Sequence, residues 1–318
     1  MIKTKICSLL NIEYPIFQGG MAQISDANLA AAVSEAGGLG IIAAGNNTSE
    51  VLKVEIDKIR SLTDKPFGVN VMLLNVHAKE ISEFLAVEKV PVIITGAGNP
   101  GVYMKMWKEA NIKVIPVAPS VAYAKHFEKI GADAVICEGT EAGGHIGELT
   151  TMCLTPQVVD AVNIPVIAAG GIADGRGIAA AFSLGAEGVQ VGTRFLTAYE
   201  CNVHQNYKNR VLKANDTDTA VTGRKTGHPV RVLKNKLVNQ FKELDKMNAE
   251  IEEYENLGRR RLYIAAVDGD VDYGSVMSGQ IAGLVNKEQS CKDIINEMFG
   301  EAEKIINNLN SYLGGCNE

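Results

Sequence analysis

The segment AVICEGTEAGGHIG, residues 134–147, indicates the fold of this chain more directly than any other stretch. Its first four residues are apolar, which is typical of a strand buried on both faces. A glycine-dense turn follows and holds one histidine, His145. Glycine lets the backbone approach a bound group closely, and parallel α/β proteins carry out their chemistry at the carboxyl ends of the strands. A lone histidine is more often a structural residue, but this context favours a catalytic one.

The same order of a short apolar strand, a glycine or asparagine turn and a helical stretch repeats through the front two-thirds of the chain. Such alternation predicts a parallel sheet, and eight units predict a closed (β/α)8 TIM barrel. Helical stretches are predicted at Ser25–Ala36, Leu154–Val162 and Gly175–Leu184. The candidate strands are Pro15–Gln18, Leu39–Ala43, Phe67–Val71, Val90–Thr95, Lys113–Ala118, Ala134–Cys137, Pro165–Ala169 and Gly188–Val191.

The repeat stops after the eighth strand, where the chain becomes polar and charged. We expect residues 198–274 to form a smaller lid domain inserted after the last strand, with one helix at Asn239–Glu255. Residues 1–197 and 275–318 would form the barrel, which the helical segments Ser275–Leu284 and Cys291–Leu313 would close. The alternative is that the insert only braces a homodimer.

Composition narrows the possible functions. The chain of 318 residues has 31 basic and 37 acidic side chains, a net charge of -6, which argues against nucleic acid or an anionic membrane as a partner. The six cysteines are widely spaced and include no CxxC pair, which indicates free thiols in a reducing compartment. The five histidines are scattered and do not predict a zinc site. The start lacks a long apolar signal segment, and no apolar run would span a bilayer. We therefore expect a soluble cytoplasmic protein without a metal.

Two glycine turns predict a phosphate site. Residues 168–172 (AAGGI) end the seventh strand and residues 190–194 (QVGTR) end the eighth. Barrels commonly hold a phosphate between the loops after these two strands. Glycine leaves backbone N–H groups free to point at the oxygens, and Thr193 could add a hydroxyl. The alternative is that these glycines only form tight turns.

Two further strand ends predict the remainder of a long ligand. The first strand ends in QGGMA, residues 18–22, where Met21 could lie against a flat ring. The third ends in GVN, and Asn70 can both donate and accept hydrogen bonds, as the pyrimidine edge of a flavin requires. Each signal alone is weak, because Met21 could belong to the core and Asn70 to a turn. Together with the phosphate turns they outline one elongated ligand across the barrel mouth.

One motif is misleading. Residues 96–101 (GAGNPG) match GxGxxG after a strand, but a dinucleotide fold also needs an acidic residue about 20 positions later. Residues 114–120 (VIPVAPS) contain none, so we interpret the loop as part of the wall of the active site.

Two other features have a structural and a functional interpretation. Cys153 lies in the loop after the sixth strand, where some barrel enzymes use a thiol, but no acid–base partner accompanies it, and an inert thiol is favoured. The triplet Arg259–Arg261 in the lid could dock an acidic partner, although a solvated charged face is favoured.

With these residues assembled, the chain resembles the flavin-dependent barrel family of nitronate monooxygenases and FMN-dependent enoyl-acyl carrier protein reductases. The resemblance covers nearly the whole chain and is closest to the bacterial enoyl reductase branch. The position of Glu138 is commonly glutamine in the nitronate branch. The matching motifs are residues 18–22 (QGGMA), 68–70 (GVN), 141–145 (EAGGH), 169–172 (AGGI), 190–195 (QVGTRF) and 277–283 (MSGQIAG).

The resemblance implies which residues hold FMN. The isoalloxazine and ribityl parts would be contacted by Gly20, Met21, Asn46, Asn70 and Glu138, and Gly143 would line the same cavity. The phosphate would be held by Gly170, Gly171, Gly192 and Thr193, with Gln190 alongside. Gly279 and Gln280 would approach from the closing helix, and His145 corresponds to the active-site histidine of the family.

The resemblance also implies a reaction, the reduction of the 2,3 double bond of an enoyl thioester on acyl carrier protein, with NADH or NADPH as the reductant. We interpret His145 as the group that polarises the thioester carbonyl or relays the proton. Three alternatives remain open: oxidation of an alkyl nitronate, a flavin-free isomerase of sugar phosphates, and a non-catalytic flavin or phosphate carrier.

Overall fold

Eight parallel strands form a barrel in the computed structural model, which describes residues 2–309. They pair in chain order, and the ring closes between its first and second strands, where the Gln18 N–H donates to the Leu39 carbonyl at 3.0 Å and the Leu39 N–H to the Ile16 carbonyl at 2.8 Å. The barrel strands are β1 Ile16–Gln18, β2 Gly40–Ala43, β3 Phe67–Met72, β4 Val92–Gly96, β5 Lys113–Ala118, β6 Val135–Glu138, β8 Val166–Ala169 and β9 Gly188–Val191; a second sheet holds β7 Gly144–His145, β10 Thr219–Thr222 and β11 Val230–Leu233.

Helices follow the barrel strands and surround them, so the predicted (β/α)8 TIM barrel is confirmed. Short 3₁₀ helices lie at Thr193–Thr197, Arg224–Thr226 and Gln280–Leu284. The α-helices are α1 Lys5–Leu10, α2 Ala27–Glu35, α3 Ser49–Leu62, α4 Ala78–Glu88, α5 Gly101–Glu109, α6 Val121–Lys129, α7 Thr151–Val159, α8 Gly175–Ser183, α9 Gln205–Leu212, α10 Lys236–Met247, α11 Ile251–Gly258, α12 Arg261–Ala266 and α13 Cys291–Leu309.

The barrel interior is packed with branched side chains at its amino-terminal end. Ile41, Ile94 and Ile136 are buried there together with Ile6 and Leu10 of α1. Because α1 covers this end with apolar side chains, the interior is a core rather than a pore, as barrels of this kind require. Space for a ligand therefore lies at the carboxyl ends of the strands.

Residues 198–274, which we call the lid, contain more structure than the sequence predicted. They hold α9 to α12 and the hairpin of β10 and β11. The hairpin is tied to the barrel, because β11 pairs antiparallel with β7 in the loop after β6. The single helix predicted at Asn239–Glu255 is wrong. Asn248 adopts φ +49° and ends α10, and Glu250 begins α11 through a capping box with Glu253.

The segment that returns from the lid also differs from the prediction. The helix expected at Ser275–Leu284 is a 3₁₀ helix over its second half only, and before it Met277 forms a bridge with Val232. These segments do not close the barrel, since β1 and β2 do so. Instead α13 packs on α8, where the Gly175 N–H donates to the Glu301 carboxylate at 2.8 Å. Residues 310–318 of the predicted barrel segment, with the last four of Cys291–Leu313, lie outside the described residues.

The cysteines and the helices can be compared with what the sequence led us to expect. The five cysteines of residues 2–309 are free thiols. None of the helices in this range is both long enough and apolar enough to cross a bilayer.

Gly40 provides a test of the packing between β2 and α2. A Cβ at this position would overlap the carbonyl group of Ala30, and backbone atoms cannot move aside easily. We expect Gly40→Ala to lower the free energy of unfolding by about 3 kcal/mol or more. Gly300→Ala is the control, because a Cβ there meets nothing within 4 Å and Gly300 is exposed in α13. It should raise stability by about 0.5–1 kcal/mol. Urea denaturation measures both, and equal effects would contradict this account of the packing.

Candidate functional site

A cavity of about 1330 Å³ opens at the carboxyl ends of the barrel strands and extends beneath the lid. The loops after the strands form its inner wall, and lid residues form its outer wall. Of the predicted site residues, Gln280 is the exception, because it is exposed and does not line the cavity. Those that line it are Gly20, Met21, Asn46, Asn70, Glu138, Gly143, His145, Gly170, Gly171, Gln190, Gly192, Thr193 and Gly279.

Two close approaches of the backbone shape the inner wall. The side-chain amide of Asn70 donates to the Gly20 carbonyl at 3.2 Å, and a Cβ at residue 20 would overlap the Asn70 side chain. A Cβ at Gly143 would lie 2.7 Å from the backbone nitrogen of Gly279, nearer than real Cβ atoms come. Packing alone therefore requires glycine at residues 20 and 143, whatever the cavity binds.

The loops after β8 and β9 present hydrogen-bond donors without acceptors. Gly171 has a φ of +74°, a conformation that favours glycine. Within residues 2–309, the N–H groups of Gly171, Gly192 and Thr193 donate to no protein acceptor. The Thr193 hydroxyl accepts from the Gly279 N–H at 2.9 Å, so its own proton remains available. Free backbone N–H groups on neighbouring loops are typical of anion-binding sites.

Gln190 supplies an unpaired acceptor beside these loops. Its side chain is buried at the end of β9, and Oε1 has no hydrogen-bond partner among the described residues. Buried polar atoms without partners are uncommon in folded proteins. Because Gln190 lines the cavity, a bound molecule with a donor group would satisfy Oε1.

Glu138 brings a carboxyl group to the end of β6. The side chain is half-buried, and it forms no hydrogen bond or ion pair with the described residues. Burial raises its pKa from 4.5 to about 7, because no neighbouring cation compensates for the lost hydration. At pH 7 the carboxyl is therefore divided between the ionised form and a neutral acid that can donate a hydrogen bond.

His145 lies where the barrel meets the lid. It belongs to β7, pairs with Val230 of β11, and remains solvent-accessible through the cavity. Desolvation by the surrounding walls, and then the neighbouring His228, lower the pKa of His145 below its usual 6.5. The two rings are 6.5 Å apart and nearly perpendicular. His145 is therefore a neutral imidazole at pH 7, with one N–H to donate and one nitrogen to accept.

Glu141 is a supporting residue that the sequence analysis did not identify. Its carboxylate accepts from the Thr151 N–H at 2.9 and 3.0 Å and so caps the start of α7. Its carbonyl accepts from the Gln280 N–H at 2.9 Å. Gln280 therefore acts through its backbone, by holding the loop after β6, and its side chain points away from the site. The sequence feature that could have identified Glu141 is its position two residues before a pair of glycines.

The comparison with known proteins assigns the family. The family model described as Nitronate monooxygenase matches residues 3–301. The chain belongs to the nitronate monooxygenase family. This is a family of FMN-dependent oxidoreductases, and the chain is therefore an oxidoreductase that uses FMN.

Individual members of the nitronate monooxygenase family are similar over nearly the whole chain. FabK from Thermotoga maritima is 48% identical, with a TM-score of 0.96 over 98% of this chain and 100% of that one. A probable nitronate monooxygenase of Staphylococcus saprophyticus is 36% identical, covering 96% of this chain and 99% of its own. A hydroxy-methyl-oxo-octahydro-indene-carboxyl-CoA dehydrogenase of Mycobacterium tuberculosis is also 36% identical, covering 95% and 96%.

The raised pKa of Glu138 predicts a pH-dependent stability for the FMN-free protein. The unfolded chain releases this proton near pH 4.5, whereas the folded protein keeps it until about pH 7. Stability should therefore fall as pH rises between these values, by at most about 3 kcal/mol. Glu138→Gln carries no charge at any pH, so this variant should match the wild type at pH 4.5 and exceed its stability at pH 8.

Urea midpoints of the FMN-free wild type and E138Q at both pH values measure this difference. Glu252→Gln, which replaces an exposed carboxylate on α11, is the control and should follow the wild type. The same profile in E138Q and wild type would mean that the Glu138 carboxylate ionises without a penalty.

Proposed function

We propose that this protein reduces the 2,3 double bond of enoyl thioesters carried by acyl carrier protein, with NADH or NADPH as the source of electrons. The observation that supports this proposal most directly is the course of the cavity. It runs from the strand ends past His145 to an apolar wall on the lid. That wall includes Val232, Leu237, Val238 and Phe241. An acyl chain would lie against these side chains while its thioester faces the imidazole.

FMN would occupy the inner part of the cavity. The free N–H groups of Gly171, Gly192 and Thr193, with the Thr193 hydroxyl, match the need of a phosphate for donors. The unpaired Gln190 Oε1 and the carboxyl of Glu138 would contact the rest of the molecule. When bound, FMN supplies the two-electron chemistry that connects nicotinamide oxidation with reduction of the alkene.

The role of His145 follows from its protonation state. A neutral imidazole can donate its N–H to the thioester carbonyl oxygen, where negative charge develops as the β-carbon is reduced. The lowered pKa keeps the ring neutral at pH 7, so the hydrogen bond forms without a positively charged imidazole in the cavity. His228 faces His145 from the lid, and it would hold the ring orientation rather than touch the thioester.

Relatives support this reaction to different degrees. FabK, to which the chain is 48% identical, is an FMN-dependent enoyl-acyl carrier protein reductase. The Mycobacterium tuberculosis relative is named for a CoA thioester, which supports the same class of substrate. The proposal that NADH or NADPH is the reductant rests on the resemblance to enoyl reductases alone.

Nitronate oxidation is the second candidate, favoured by the family model and by the Staphylococcus saprophyticus relative. It would consume oxygen and an alkyl nitronate and would need no nicotinamide. We expect the anaerobic protein to lose its flavin absorbance when NADH or NADPH is added, and to regain it on addition of crotonyl thioester. Oxygen uptake with a nitronate, without any response to crotonyl thioester, would favour the second candidate.

Replacing His145 tests its proposed role. His145→Ala should lower the turnover of enoyl thioester by roughly 10²-fold or more, because a positioned donor is lost at the carbonyl. Bound flavin, measured by its visible spectrum, and its reduction by nicotinamide should not change. His126→Ala is the control, since His126 is exposed on α6 and does not line the cavity. Normal turnover in His145→Ala would remove this residue from the mechanism.

A further inference from the structure

The arginine triplet between α11 and α12 is part of the cavity. The sequence alone left Arg259, Arg260 and Arg261 as a solvated face or a docking surface. In the folded chain all three line the same cavity as His145, on the lid side of its mouth. Arg260 adopts φ +61°, which is uncommon for a residue other than glycine, and the turn there brings the chain from α11 into α12.

The three arginines differ in their partners. Arg261 donates through Nε to the Leu257 carbonyl at 2.9 Å and through a terminal nitrogen to the Tyr273 carbonyl at 3.3 Å, so its role is structural. Arg259 and Arg260 are exposed, and in the described part of the chain neither donates a hydrogen bond or lies within 4.0 Å of a carboxylate. The Arg260 guanidinium lies over the ring of Tyr263, 5.2 Å from the ring centroid.

The lack of ion pairs sets Arg259 and Arg260 apart from the other exposed arginines of the described chain. The chain has an excess of acidic residues, and Glu255 lines the same rim without pairing with either Arg259 or Arg260. Elsewhere the partly or fully exposed arginines do find carboxylates: Arg60 with Glu88, Arg176 with Asp174, Arg210 with Asp218 and Arg224 with Glu148. Two adjacent unpaired guanidinium groups at the mouth of a cavity are suited to an anionic ligand, because each can bind a phosphate through two hydrogen bonds.

We propose that Arg259 and Arg260 bind the phosphate at the outer end of the thioester carrier. This inference rests on the proposed function. An acyl group on phosphopantetheine or coenzyme A is joined to sulfur at one end of a long arm, and the arm ends in a phosphate ester at the other. With the thioester at His145, the arm leaves through the mouth of the cavity, where the two arginines lie. They therefore select substrates by the carrier and not by the acyl chain.

Two substrates with the same thioester, one with the phosphates and one without them, test this proposal. Crotonyl-CoA carries the phosphates, whereas crotonyl-N-acetylcysteamine has the same thioester without them. In the holoenzyme, the double variant Arg259→Gln, Arg260→Gln should raise KM for crotonyl-CoA about tenfold and leave KM for the phosphate-free thioester unchanged. Reduction of the flavin by NADH and by NADPH should keep its wild-type dependence on nicotinamide concentration. The control is Arg224→Gln, a lid arginine that is paired with Glu148 and lies outside the cavity lining.

Other outcomes would overturn the proposal. If the double variant weakened the nicotinamide half-reaction and spared crotonyl-CoA, the arginines would bind the phosphates of the nicotinamide cofactor. Equal effects on both thioesters, or none on either, would mean that they do not recognise the carrier. Calorimetric binding of coenzyme A to the holoprotein separates this question from the proposed function. Loss of that binding in the double variant would support the subsite even if wild-type protein reduced no enoyl thioester, and unaltered binding would exclude it.

Discussion

The contact between two backbone segments at the mouth of the barrel determines the geometry of the whole site. The loop after β6 and the segment that returns from the lid meet where Gly143 and Gly279 leave no room for a side chain. Hydrogen bonds fix the contact from both sides: Gln280 N–H to the Glu141 carbonyl, and Gly279 N–H to the Thr193 hydroxyl, both at 2.9 Å. One contact thus links the loop that carries the histidine, the loop that offers free N–H groups, and the end of the lid.

That contact explains why the lid belongs to the site. His145 is held in a short strand, and the partner of that strand is β11, which is a lid strand. β11 is in turn bridged to the returning segment through Val232 and Met277. The imidazole is therefore oriented by the lid as much as by the barrel, and a displacement of the hairpin would move the histidine with it. The lid is a structural part of the cavity in addition to any role it has as a cover.

The sequence predicted the barrel well and the lid poorly, for a physical reason. Barrel strands are buried on both faces, so each is mostly apolar, and the predicted limits agree with the structure within two residues. The lid follows no such repeat. The helix predicted at Asn239–Glu255 ignored Asn248, which can adopt the left-handed conformation and so separates two helices with similar apolar faces.

The remaining discrepancies arise from pairings between distant residues. Residues 275–284 have apolar side chains at helix-like spacing, but the close approach at Gly279 forces the first half into an extended form. His228 and the apolar wall near Phe241 could not be assigned to the site from the sequence. Both reach it only through the pairing of β11 with β7, which joins residues some 85 positions apart. Glycine turns and strand-end polar residues could be recognised because they act locally, at the ends of the strands that carry them.

Electrostatics divide the cavity into two zones with different consequences for a ligand. Within the cavity, desolvation raises the pKa of the Glu138 carboxyl and lowers that of the His145 imidazole. Both shifts favour the uncharged form, so the surroundings of these two side chains oppose ionised groups, unlike the loops after β8 and β9, where free N–H groups can bind an anion. At the rim, Arg259 and Arg260 carry full positive charge in contact with water. A ligand with a neutral reactive end and an anionic outer end can satisfy both zones in only one orientation. The charge distribution of the protein would therefore align such a substrate before any specific contact with the acyl chain forms.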